Sequence, residues 1–229
     1  MKRLNTKAAI LMNVALLLAS TAQAGSVPGL QDRDLDGNLA NGPEAFYDAA
    51  HDITWLRAAS ANIMNWSTAK AWAEMDRYGV SGWRLPTVVD KGNDGGNWGV
   101  DGTDMGYNVD TSKATGSELA HLFYDVLGNK AYYTTAGSPQ PDFGLKTTGD
   151  FQGLLSGYYW SGSDYPAGVA SAWLFQMSDG GQGWTYKSGA YNVLAVRDGD
   201  VTAVPEPATY ASLLAGLGAL ALLRRRRQA

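Results

Sequence analysis

Tyr158-Tyr159-Trp160-Ser161, Ala172-Trp173-Leu174-Phe175-Gln176-Met177, Trp184-Thr185-Tyr186 and Val193-Leu194-Ala195-Val196-Arg197 are four short runs rich in aromatic and β-branched residues, separated by Gly, Asp, Ser and Pro. Runs of this length and spacing predict strands joined as antiparallel hairpins. Upstream, Ala45-Phe46-Tyr47 and Ile53-Thr54-Trp55-Leu56 have the same character, are bounded by Asp and His, and predict two more strands.

Between these groups the periodicity becomes helical. Ser67 is placed to cap a helix running to about Tyr78, with Ala69, Trp72, Ala73 and Met75 or Asp76 on one face and Gly79 ending it. A second helix is expected from near Ser117, with Leu119, Leu122, Phe123, Val126 and Leu127 on one side and a stop at Gly128-Asn129. From Gly92 to Asn108, Gly and Asp fill nearly every other position, and Trp98 and Tyr107 are the large anchors. A loop of that length inside a domain is uncommon and usually binds something. The order of elements predicts an α+β domain: two helices packed on a small antiparallel sheet, with long glycine-rich loops.

The ends read differently from this body. Lys2, Arg3 and Lys7, the apolar run Ala8 to Leu18 and the small residues Ala22-Gln23-Ala24 predict a signal peptide over residues 1–24, cut by signal peptidase. The domain then spans residues 25–204, about 180 residues, enough for one sizeable core. That body holds 11 basic and 21 acidic residues, a net charge near −10. Such a balance repels phosphates and argues against nucleic acid as a partner. The chain has no cysteine, so an exported domain here relies on packing rather than disulfides.

Several blocks occur in a fixed order: Asp52-Ile53-Thr54-Trp55-Leu56, Asn65-Trp66, Gly82-Trp83-Arg84-Leu85-Pro86-Thr87, Ser117 to Tyr124, Tyr159-Trp160-Ser161-Gly162 and Ala195-Val196-Arg197-Asp198-Gly199. This series resembles the domain-of-unknown-function family typified by the C-terminal domain of collagen-like bacterial adhesins. The resemblance implies a C-type-lectin-like fold over roughly Asp32 to Val201 and a role in surface attachment. Trp55, Trp83, Arg84, Leu85, Pro86, Tyr159, Trp160, Ser161 and Arg197 are the matching motif residues. They read as scaffold: Pro86 holds Leu85 extended, the Arg84 fork ties loops together, and Trp83 and Trp160 anchor the core. The sulfated glycans linked to the adhesin relatives fit poorly with a body this acidic. Some relatives carry a cysteine where this chain has Met105.

At the other end, Pro205-Glu206-Pro207, an apolar run from Ala208 to Leu223 and the cluster Arg224, Arg225, Arg226 and Arg227 resemble a PEP-CTERM sorting signal over residues 205–229. Sixteen residues make about 24 Å of helix, slightly short of a roughly 30 Å hydrocarbon core. The arginines stay cytoplasmic, which leaves the domain outside. The resemblance implies export across the inner membrane, transient anchoring by a C-terminal transmembrane helix, cutting by an exosortase, and release to the cell surface or beyond, often alongside exopolysaccharide.

Candidate chemistry is sparse. Asp32, Asp34, Asp36 and Gly37 match the opening of a calcium loop. Its twelfth position falls on Pro43, however, and Glu44 comes one residue late. No cofactor is required by any motif, and calcium is the ion this segment could take. Gln140-Pro141-Asp142 resembles the calcium and sugar tripeptide of galactose-type lectins, but the later Trp-Asn-Asp is missing. His51 and His121 have no partner at metal-ligand or catalytic spacing and read as packed or surface residues. The broad fold is shared with the formylglycine-generating enzyme, whose active-site cysteines this chain lacks. Trp98, Tyr107 and Trp184 are the candidates for stacking on a sugar. The expectation is a non-enzymatic binding domain for carbohydrate or another envelope component. The alternatives are a structural matrix protein without a discrete ligand, or an exported hydrolase.

Overall fold

The computed structural model describes residues 27–201. The expected signal peptide and sorting tail lie outside the described residues. The described strands are β1 (Leu30–Arg33), β2 (Ala45–Asp48), β3 (Ile53–Leu56), β4 (Trp83–Arg84), β5 (Trp98–Gly99), β6 (Met105–Tyr107), β7 (Tyr158–Asp164), β8 (Ser171–Gln176), β9 (Gly181–Tyr186) and β10 (Val196–Asp198). They form two five-stranded sheets, ordered β1-β2-β3-β10-β4 and β5-β6-β9-β8-β7.

The first sheet grows from the two strands predicted at Ala45 and Ile53. They pair antiparallel with Phe46 opposite Trp55, and the Asp48 carboxylate accepts the Ala50 N–H at 3.0 Å to close the turn. β10, last in the chain, inserts between β3 and β4, placing Val196 opposite Trp55 and Arg84, and Arg197 opposite Thr54 and Trp83. Residues noted as separate motifs in the sequence are thus cross-strand neighbours.

In the second sheet, β7, β8 and β9 form the antiparallel meander expected from their spacing. Side chains alternate across a strand, so adjacent residues enter different cores. Tyr159 and Phe175 join Phe46, Trp55, Leu119 and Phe123 in one buried cluster. Trp160 and Leu174 join Trp83, Leu85, Ala69 and Ala73 in the other. The middle of this sheet is covered on both faces, so β8 reads as a nearly continuous apolar run.

The predicted architecture needs correction: the domain is mostly β, 11% helical, and is not the two-helix C-type-lectin-like arrangement. Three observations account for the difference. First, α1 spans Trp66–Ala73 and stops well before Tyr78. Its cap is Asn65, whose side chain accepts the Thr68 N–H at 3.0 Å. Arg77 and Val80 exchange backbone hydrogen bonds, Met75 is exposed, and a turn replaces the last helical turn. Second, α2 is one turn, Glu118–His121, capped by Ser117 as expected, and continues as a π turn over Leu122–Val126 to the stop at Gly128. Leu119, Leu122, Phe123 and Leu127 are buried along it. Third, the acidic lead-in and the glycine-rich loop contain β1, β5 and β6. Such two- to four-residue strands have no periodicity to read and exist through pairing to distant partners.

Among the described residues no helix is long and apolar enough to cross a membrane. The apolar run at 208–223 falls outside them.

Candidate functional site

The segment Gly92–Asn108 is organised rather than loose. Buried Asp104 accepts the backbone N–H groups of Lys91 (2.7 Å) and Asn97 (2.6 Å), which ties the start and the middle of the loop to one carboxylate in its second half. Asn108 donates its amide to the carbonyls of Val100 and Tyr133. Gly106 has φ +100°, and a Cβ there would lie 2.0 Å from the Gly99 carbonyl oxygen. Only glycine allows the parallel β5–β6 contact. The resulting ledge pairs with β9, with Gly106 opposite Gln182 and Tyr107 opposite Gly181.

Where ledge and strand meet there is a groove of about 350 Å³, lined by Trp98, Met105, Gly106, Tyr107, Gln176 and Gly181 to Trp184. All three sugar-stacking candidates border it. Trp98 is 62% exposed and Trp184 is 40% exposed. The Tyr107 ring is braced edge-on by Tyr133, and its hydroxyl donates to Asp179 at 3.4 Å. Burial and then the Asp179 carboxylate push its pKa up to about 12, so the phenol stays protonated. Trp184 leaves β9 on the face opposite to Gly181 and Gly183 and stacks on Tyr165, ring centroids 4.7 Å apart. It extends the groove at its rim, while Trp98 and Tyr107 belong to the ledge. Gln182 is buried; its Nε2 donates to the Asp104 carbonyl at 2.6 Å and its Oε1 has no partner. Asp, Glu, His, Lys and Arg are absent from the lining.

The acidic segment is assembled differently from its sequence spacing. Oxygens of Asp34, Asp36 and Glu44 lie within 4.8 Å of one another. Asp32 is not among them: it sits in β1 opposite Phe46, where burial and then the Asp150 charge raise its pKa. The residue that seemed one position late is the one the hairpin brings in. Asp34 accepts the backbone N–H groups of Asp36 and Gly37, and Glu44 accepts that of Leu35 at 2.8 Å. Gln140, by contrast, is engaged structurally, donating to the carbonyls of Ala131 and Tyr133.

Sequence reasoning missed a buried pair of histidines. His121 Nε2 contacts Asp48 at 2.8 Å and Nδ1 contacts Asp125 at 2.9 Å, while His51 stacks on its ring. Burial opposes charge on His121, but its two carboxylate hydrogen bonds outweigh burial and raise its pKa. His51 is lowered, by burial and then by His121. The Asp125-to-His121 spacing of one helical turn was a weak available signal; Asp48 had none. Another cavity, of about 640 Å³, is lined by Glu44, Arg57, Trp72, Arg77 and Tyr78 among others. Arg77 there is tied to the carbonyls of Trp72, Ala73 and Met75, and Arg57 to those of Pro43 and Asp150.

The remaining motif residues are packed into the domain or paired with its side chains and backbone. Trp55, Trp83, Tyr159, Trp160 and Ser161 are buried, and Leu85 with them. Arg84 joins β4 to α2 and β10 through Glu118 and Asp198. Arg197 donates to the Asp200 carbonyl at 2.9 Å.

No curated protein matches the chain. Residues 203–227 match the PEP-CTERM protein-sorting motif. That motif marks an exported, exosortase-processed surface protein.

Proposed function

We propose that the domain binds a carbohydrate chain of the cell envelope or extracellular matrix in the β5–β6–β9 groove, without chemical turnover. The observation that carries this reading is the placement of Trp98 and Tyr107 on one open groove with glycine in its floor and Trp184 at its rim. Flat aromatic faces and amide side chains are the groups that recognise sugar rings and hydroxyls. The lining itself has no carboxylate or imidazole, and the one carboxylate at its end, Asp179, accepts from the Tyr107 hydroxyl, which favours binding over hydrolysis with its positioned acid and base. The sorting tail would deliver this surface to the cell exterior, where the host's own polysaccharide is the nearest ligand. Calcium, in this reading, belongs to Asp34, Asp36 and Glu44 and stiffens the lead-in to the domain rather than holding sugar.

The test is affinity electrophoresis and calorimetry of the domain against polysaccharide from the host and a panel of purified oligosaccharides. Binding is expected to weaken about tenfold in Trp98→Ala, roughly 1.4 kcal/mol. Absence of binding across host polysaccharide and panel would favour the structural matrix alternative.

A further inference from the structure

Gly183 stands apart from the other described glycines that lie in strands. Some glycines outside the strands, such as Gly79, Gly128 and Gly199, have room for a side chain but sit at positive φ, where L residues are strained. Others at ordinary φ, such as Gly99, Gly116 and Gly162, are hemmed in, with a neighbouring atom within 3.2 Å of an ideal Cβ. Gly183 has neither restriction: its φ lies outside the left-handed region and nothing lies within 4 Å of the Cβ position. It is in the middle of β9, paired with Leu174, where glycine weakens a strand and a β-branched residue would strengthen it. The bare position opens onto the groove beside the ledge, on the strand face that Gly181 shares.

We propose that Gly183 is a specificity-determining residue, its missing side chain being the seat for an uncharged sugar ring laid against the strand backbone. This rests on the carbohydrate reading of the groove and narrows it to a ligand class. A strand glycine without a folding role marks close approach by something outside the strand. The charge of that ligand follows from the lining, which has no cation to pair with a uronate or sulfate. Asp179, which accepts from Tyr107 and faces the Gln176 amide at 3.2 Å, adds a carboxylate at the groove end. An anionic sugar would be desolvated there without a partner and repelled.

The experiment measures binding of neutral hexasaccharides of glucose, mannose and xylose, with alginate oligomers and dextran sulfate as anionic probes. It uses the wild-type domain and the variants Gly183→Ala, Gly183→Val and Trp98→Ala. At least one neutral probe should bind and no anionic one. Gly183→Val should melt at or above the wild-type temperature yet bind at least tenfold more weakly, with Gly183→Ala intermediate in affinity. Unchanged affinity in both Gly183 variants, with loss in Trp98→Ala, overturns the role of Gly183 and leaves the groove standing. A drop in melting temperature in Gly183→Ala shows a folding role for the glycine and also overturns it. Binding confined to the anionic probes overturns the ligand class. Wild-type affinity in Trp98→Ala removes the groove itself.

Discussion

His51 lies flat on His121, ring centroids 3.5 Å apart and planes within 13°, with the Asp48 carboxylate bonded to His121 Nε2 and to the His51 backbone N–H. The two rings have opposite preferences for the proton, and this sets a pH dependence for folding. His121 binds its proton more tightly folded than unfolded, so its contribution is complete below the ordinary value of 6.5 and is lost as pH rises through its raised pKa. His51 binds its proton less tightly when folded, so its contribution is complete above 6.5 and is lost as pH falls through its lowered pKa. Stability governed by this pair therefore peaks near pH 6.5. Urea midpoints measured from pH 5 to 9 check it. His51→Gln should flatten the acid side alone. His121→Gln should remove the alkaline side and also shallow the acid side, because His121 is one cause of the His51 shift. A wild-type profile flat from pH 6 to 9 would contradict the assignment.

Arg84 grips Glu118 with two hydrogen bonds of 2.8 Å, and the same carboxylate accepts the Thr87 N–H at 2.6 Å. Glu118 opens the single turn of α2, so this fork holds the short helix to β4. Lysine cannot reproduce a planar two-point contact. Arg84→Lys is expected to cost about 1–2 kcal/mol in chemical denaturation, and a melting curve superimposable on the wild type would show that charge alone suffices.

Gly106 is the counterpart of Gly183. Its positive φ and its closeness to Gly99 both exclude a side chain. Gly106→Ala should lose about 2–3 kcal/mol and disrupt the ledge that carries Trp98. Near-ultraviolet circular dichroism and thermal melting, run beside Gly183→Ala, separate a glycine needed for folding from one that is not.

Calcium supplies the fourth test. With Asp34, Asp36 and Glu44 as the ligand set, calcium raises the melting temperature over chelator, Glu44→Ala abolishes that rise, and Asp32→Ala keeps it. Equal melting in calcium and chelator removes the ion from the account, and dependence on Asp32 instead of Glu44 restores the linear loop.

Much of the chain was legible in advance because its signals are local. Three- to six-residue aromatic and β-branched runs announced β2, β3, β8 and β9, and Ser117 with Leu119, Leu122 and Phe123 announced the start and buried face of α2. The error lay in what short segments do: Leu30–Arg33 and Met105–Tyr107 looked polar or glycine-rich and became strands because partners from elsewhere completed them. Asp76 and Tyr78 looked helical, but Arg77 ends the helix by binding its last carbonyls. Trp98, Tyr107 and Trp184 could be named as stacking residues from their type and surroundings. That Trp98 and Tyr107 share a groove, with Trp184 at its rim, could not.

Composition, charge, the start of α2 at Ser117 and the Pro205-Glu206-Pro207 tail were determined by the sequence alone, because each depends on neighbours within a few residues. The tertiary structure decided that β10 inserts beside β3, that Glu44 rather than Asp32 joins Asp34, that His121 finds Asp48, and that Gly183 faces open space. Those relationships are set by cross-strand pairing over long separations, where the energy comes from burial and hydrogen bonds that no local window contains.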